Sequence, residues 1–181
     1  MEWLWGSLIG VGATLLGTVV GWFLSKPKNK NIKIILNTPS KLSPQMMFSD
    51  SGSDKKRHLT GISLYMDLVF YNPSDNVKLM RNIRTEFFDD KKTLLFSVDI
   101  KNLENTTTIF PGINLPKEID AINIAPHVGD LYKCSVALFR EDLEKKDLIA
   151  GVFIVFDDEN NKAIKHKIPL PDFKGVKPYQ D

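Results

Sequence analysis

Cysteine occurs once in the 181 residues, as Cys134, so no disulfide can form within the chain and an apolar core has to hold the fold. A single thiol suits a reducing compartment. Histidine is scarce too. His58, His127 and His166 lie too far apart in sequence to form a local metal motif, so no metal centre is expected. A glycine-rich phosphate loop is missing, and no candidate nucleophile has a base beside it in the pattern of a hydrolase, so neither cofactor nor enzymatic activity is expected. Excess charge of one sign is absent as well. Before Asn31 lie three of the 24 Lys and Arg and one of the 22 Asp and Glu, which leaves a balanced 21 of each afterwards. A neutral domain is a poor ligand for nucleic acid, whose affinity rests on neutralised phosphates.

What the chain does have is one long uncharged run, Trp3 to Leu24, reading WLWGSLIGVGATLLGTVVGWFL. As a helix its roughly 22 residues rise about 33 Å, enough to cross a hydrocarbon core of about 30 Å. Trp3 and Trp5 mark one end and Trp22 the other, at the depth that indole rings prefer. Only Met1 and Glu2 precede the run and no A-x-A cleavage site follows, so a membrane anchor is expected rather than a signal peptide. Lys26, Lys28, Lys30 and Lys33 follow it, which places the N-terminus outside and the remainder of the chain in the cytoplasm. Each such lysine near an anionic inner leaflet gains on the order of 1 kcal/mol. Gly6, Gly10, Ala13, Gly17 and Gly21 recur every three or four residues and fall within about 80° of arc on a helix. This smooth stripe fits close packing against another helix, either a second copy or a different protein.

After this anchor and linker, residues 1–30, the patterning is that of strands. Residues 31–37 read as a first strand, and Met46, Met47 and Phe48 form an apolar island, expected to pack as an edge element, inside a long polar connection. From Leu59 to Asn72 the chain alternates, with Ile62, Leu64, Met66, Leu68 and Phe70 on one face. Val77 to Phe88 continues with Val77, Leu79, Ile83 and Phe87 in phase, and Leu94, Phe96, Val98 and Ile100 form a third strand. Tight turns between the three imply an antiparallel meander. Residues 101–112 read as a polar crossing connection, with short strands near 113–115 and 119–124. Tyr132, Cys134, Val136 and Leu138 share a strand face, the run 148–156 is apolar on both faces, and Ile164, His166 and Ile168 belong to a last strand.

Eight or nine short strands with no amphipathic helix among them give an all-β domain over residues 31–168, an antiparallel β-sandwich or small barrel, followed by an extended tail at 169–181. The stretch from Leu59 to Phe96 loosely resembles immunoglobulin-like or C2-like sandwiches, without the Cys and Trp pattern of antibody domains. The acidic groups at Asp89 and Asp90, at Glu141, Asp142 and Glu144, and at Asp157 to Glu159 all read as solvated turns. Lys162, Lys165 and Lys167 form a basic set on the last strand. The function expected is a single-pass membrane protein that holds a β-sandwich at the cytoplasmic face and recognises a protein partner, with lipid as the second contact. The alternative is a ligand-gated effector whose membrane helices oligomerise.

Overall fold

The computed structural model describes residues 31–37, 44–50, 57–110, 112–139, 141–173, 176 and 179–180. The chain divides into two units, Met1–Lys30 and Asn31–Asp181, and the described strands belong to the second. The expected membrane helix, with Trp3, Trp5, Trp22, Lys26, Lys28, Lys30 and the stripe of Gly6, Gly10, Ala13, Gly17 and Gly21, lies outside the described residues. Lys33 is described, as the exposed first residue of the first strand. Among the described residues no helix is long and apolar enough to cross a membrane.

The strands are β1 (Lys33–Leu36), β2 (Gln45–Asp50), β3 (Arg57–Tyr71), β4 (Lys78–Phe88), β5 (Leu94–Asp99), β6 (Lys101–Phe110), β7 (Ile113–Glu118), β8 (Ala121–Ile124), β9 (Gly129–Phe139), β10 (Gly151–Asp157), β11 (Ala163–Ile168) and β12 (Tyr179–Gln180). One short helix, α1 (Glu141–Glu144), and a single 3-10 turn (Lys146–Leu148) join β9 to β10. The spine is β3, whose strict alternation puts Ile62, Leu64, Leu68 and Phe70 at 0 % exposure and Met66 at 2 %. On one side it pairs with β9, from Gly61 opposite Phe139 to Tyr71 opposite Gly129. Its other side takes β1 at Leu68–Tyr71 and β2 at the opposite end. The apolar island Met46–Phe48 therefore does pack as an edge strand.

The first sheet runs β1-β3-β9-β6-β7 and the second runs β11-β10-β4-β5, with β8 on the first half of β4. These are the orders A-B-E-D and G-F-C-C′ of an immunoglobulin sandwich, with β7 and β8 inserted between D and E. Facing side chains fill the space between the sheets. Phe87 stacks on Phe96 at 4.7 Å, and Phe70 meets Tyr132 edge to face at 5.5 Å. One edge is closed by two adjacent crossings of the chain from sheet to sheet. Asp99 still pairs with Arg84 in the second sheet, whereas Lys101 pairs with Ser135 in the first, and Ile100 between them is fully buried. The chain changes sheets again between Glu118 and Ala121, and the Ile119 N–H donates to the Ile100 carbonyl at 2.9 Å.

Four expectations are corrected. The strands β3, β4 and β5 are not a meander, because β3 lies in the first sheet and the others in the second. The Asn72-Pro73-Ser74-Asp75 stretch makes an arch between sheets, held by the fully buried Asn72 side chain. Val77, just before β4, is 59 % exposed, and Met80 takes the core position instead. Asn82, at φ 51°, inserts an extra residue there and shifts the phase, so Ile83 and Phe87 are buried as expected but the first half is not in register with them. The segment 101–112 carries the ten-residue strand β6, not a connection. Its second half is solvated on both faces, so no alternation marks it. The tail beyond Ile168 belongs to the body: Phe173 and Val176 are buried, and β12 pairs with Arg57 and His58.

A candidate recognition groove on the outer face of the second sheet

In β10 the alternation sends Val152, Ile154 and Phe156 into the core and leaves Gly151, Phe153 and Val155 on the outer face. Outer positions of a half-buried sheet are ordinarily polar, and here they are not. Phe153 lies in register between Glu86 of β4 and Lys167 of β11. Its ring meets that of Phe88 edge to face at 5.3 Å. The ring lies beside Gly151, where a Cβ would meet it at 3.4 Å, an ordinary contact. The two rings, with Ala150 and Gly151, floor an open groove of about 360 Å³ whose rim carries Asp89, Asp90, Lys92, Lys165 and Lys167.

The lysine at the centre of this rim is held in place. Lys165 Nζ donates to Glu86 Oε2 at 2.6 Å and lies 4.7 Å from the centre of the Phe88 ring. Glu86, 5 % exposed, also accepts from Arg84 Nε at 3.1 Å. Arg84 in turn lies 3.7 Å from Asp157, which accepts from Asn82 Nδ2 at 2.8 Å. This row of alternating charges crosses three strands. Glu86 is the buried member of two of these pairs, so its carboxylate depends on Arg84 and Lys165, and the row holds Lys165 in place. The turn beside the groove is built by Asp89, whose Oδ1 accepts from the Thr93 N–H at 2.6 Å, with Lys92 at φ 65°.

Among the described residues, those lining the groove are aromatic, small, acidic or lysine. The groove presents an apolar floor to an aliphatic or aromatic group and ammonium groups to an adjacent anion. Of the residues singled out in the sequence, Lys165, Lys167, Asp89 and Asp90 are brought here. Phe88 and Phe153 were missed as site residues, although the apolar character of both faces of 148–156 was a signal for Phe153.

The other candidates lie apart from it. Cys134 is fully buried, its thiol pushed up to about 12 by burial and by the Asp67 carboxylate, with Sγ 3.5 Å from the Tyr132 carbonyl; this is an inert core group. His127, exposed in the β8–β9 turn, pairs with Asp75 at 2.9 Å. Among the described residues no group of histidine, cysteine and carboxylate side chains is placed to hold a metal ion. In the β10–β11 turn Asp158 Oδ1 accepts from the backbone N–H groups of Asn160 and Lys162, while Glu159 pairs with Lys78 at 2.7 Å.

His166 faces inward, stacked on Phe156 at 6.1 Å, and its Nε2 donates to the Ile32 carbonyl at 3.0 Å. Burial pulls its pKa below the ordinary 6.5, and the bond to Ile32 opposes that shift only in part. The neutral ring is thus favoured in the fold. The stability it contributes is complete above pH 6.5 and is lost as pH falls towards the lower folded value. Denaturant melts at pH 7.5 and 5.5 are expected to show the parent domain losing more stability on acidification than a His166→Gln variant. Equal losses would mean that the acid sensitivity lies elsewhere.

No curated protein matches the chain. Among solved structures it is similar to a target of the Northeast Structural Genomics Consortium, at 8 % identity and TM-score 0.35 over 81 % of this chain and 90 % of that one. It is also similar to a protein from Archaeoglobus fulgidus, at 6 % identity and TM-score 0.34 over 74 % and 94 %. Likeness of this size says nothing of function. The family model of the YopI Ig-like domain matches residues 45–169, from the start of β2 to the residue after β11, and the chain belongs to that family.

Proposed function

We propose that this chain is a single-pass membrane protein whose Ig-like domain acts as a non-enzymatic protein-interaction module at the cytoplasmic face. The observation that carries the reading is the pair of outward rings, Phe88 and Phe153, beneath a lysine fixed by Glu86. Aromatic side chains left on a sheet face and rimmed by charge are the usual anchors of recognition surfaces. The partner that fits presents an apolar side chain next to an acidic one. Anchorage rests on the run from Trp3 to Leu24 and orientation on Lys26, Lys28, Lys30 and Lys33. The stripe of Gly6, Gly10, Ala13, Gly17 and Gly21 is proposed to pack against a second membrane helix.

Alkaline extraction of membranes is expected to leave the full chain in the pellet, and added protease is expected to spare residues 31–181 in intact cells. Release by alkali would sink the anchor; digestion from outside would reverse the orientation. The groove also supports a second reading. Its volume of about 360 Å³ is within the range of roughly 300–1,000 Å³ that small ligands occupy, as a ligand-gated membrane effector requires. That reading needs oligomers in the membrane that the double change Gly10→Ile and Gly17→Ile abolishes.

A further inference from the structure

The exposed apolar residues are unevenly distributed. The strand registers place the first residue of β1, Lys33, opposite Tyr71 of β3, and Tyr71 opposite Gly129 of β9. β6 starts in mid-sheet, with Lys101 opposite Ser135 and Asn102 opposite Cys134, and runs antiparallel to β9 towards that same end. The β6–β7 hairpin therefore projects at the end of the sandwich where β1 begins. Its tip exposes Ile109 at 52 %, Phe110 at 64 %, Ile113 at 51 % and Leu115 at 45 %. Val128 and Leu131, beside the start of β9, are exposed at this end too.

Charge separates this tip from an ordinary solvated hairpin. From Asn105 to Pro116 there is no Asp, Glu, Lys or Arg, although a quarter of the whole chain is charged. Such a tip enters an interface without desolvating an ion. Between Leu24 and Ile32, the seven residues from Ser25 to Asn31 reach at most about 25 Å when fully extended. An anchored domain is then tethered within about 25 Å of the bilayer surface.

We infer that the β6–β7 hairpin tip inserts into the headgroup region of the bilayer that the anchor spans, giving the domain a second point of attachment. This inference rests on the anchored reading above. Two attachments fix orientation as well as distance. The groove floored by Phe88 and Phe153 lies at the opposite end of the sandwich, because β4 runs away from its Lys78 end and Phe88 is its last residue. It is thereby turned away from the lipid.

The test uses the full chain in phosphatidylcholine–phosphatidylglycerol vesicles containing brominated lipid. The three tryptophans all precede Leu24, so intrinsic emission reports the anchor alone. An environment-sensitive dye on Ile113→Cys reports the hairpin, and the same dye on Asp90→Cys reports the far end; Cys134 is buried and stays unlabelled. The dye at 113 is expected to shift to the blue and lose emission to bromine, the dye at 90 to do neither. Adding Phe110→Asp is expected to abolish the loss at 113. Quenched tryptophans with equal, weak quenching at 113 and 90 would overturn the inference and leave the anchor standing. A blue shift at 113 without bromine quenching would overturn it in favour of a second copy or another protein as the occupant. Quenching at 113 without quenched tryptophans would sustain the hairpin contact and remove the anchor.

Discussion

Replacing Asn72 by alanine is expected to cost the Asn31–Asp181 unit about 3 kcal/mol, a large part of the roughly 5–15 kcal/mol that holds a domain of this size together. The side chain is fully buried and uses both ends of its amide. Nδ2 donates to the Asn76 carbonyl at 2.7 Å and to the Ile124 carbonyl at 3.0 Å, while Oδ1 accepts from the Ser74 N–H at 3.0 Å and the Ser74 hydroxyl at 2.6 Å. Its backbone is held as well: the N–H donates to the Val128 carbonyl and the carbonyl accepts from the His127 N–H. The residue thus ties the arch between sheets to the β8–β9 turn. Truncation removes all four side-chain hydrogen bonds and takes from the Ile124 carbonyl its buried donor. Urea melts with an unchanged slope would show the loss directly. A loss below about 1 kcal/mol would mean that the arch does not depend on this amide.

That arch also shows where sequence reasoning stops. Asn72-Pro73-Ser74-Asp75 has the composition of a turn, and composition does not distinguish a hairpin within one sheet from an arch between two. The difference lies in whether Asn72 meets Ile124, a contact made by a residue 52 positions away. Where one face of a strand is packed and the other solvated, the alternation is a reliable guide residue by residue. Ile62 to Phe70, and Cys134, Val136 and Leu138, are core as their alternation implies. It fails in β6, whose threonines and asparagines see water on both sides, and in β4, where Asn82 breaks the period between Met80 and Ile83. The groove was half legible. Lys165 and Lys167 stood out as a basic set and the run 148–156 as apolar on both faces, yet nothing local says that Phe88 comes to lie against Phe153. Everything expected of Trp3 to Lys30 lies outside the described residues and stays with the proposal.

The second large effect concerns recognition. On the proposed reading Phe153 is the central anchor of the groove, so Phe153→Thr is expected to weaken partner binding by about 2 kcal/mol or more, roughly thirtyfold. Threonine is β-branched and suits a strand, and Phe153 points away from the core. The cost to folding is then about 1 kcal/mol, from the half-buried ring. Loss of binding and loss of fold are thereby separable.

The most direct measurement is photocrosslinking from the groove rim in native membranes. A benzophenone side chain placed at Lys92, in the full-length chain, samples whatever occupies the space above Phe88 and Phe153. One discrete protein adduct is expected in the membrane fraction, lost when Phe153→Thr is added while the urea midpoint of the domain stays near its parent value. An adduct that persists unchanged with Phe153→Thr, or no adduct from a folded, membrane-bound chain, would contradict recognition through this groove.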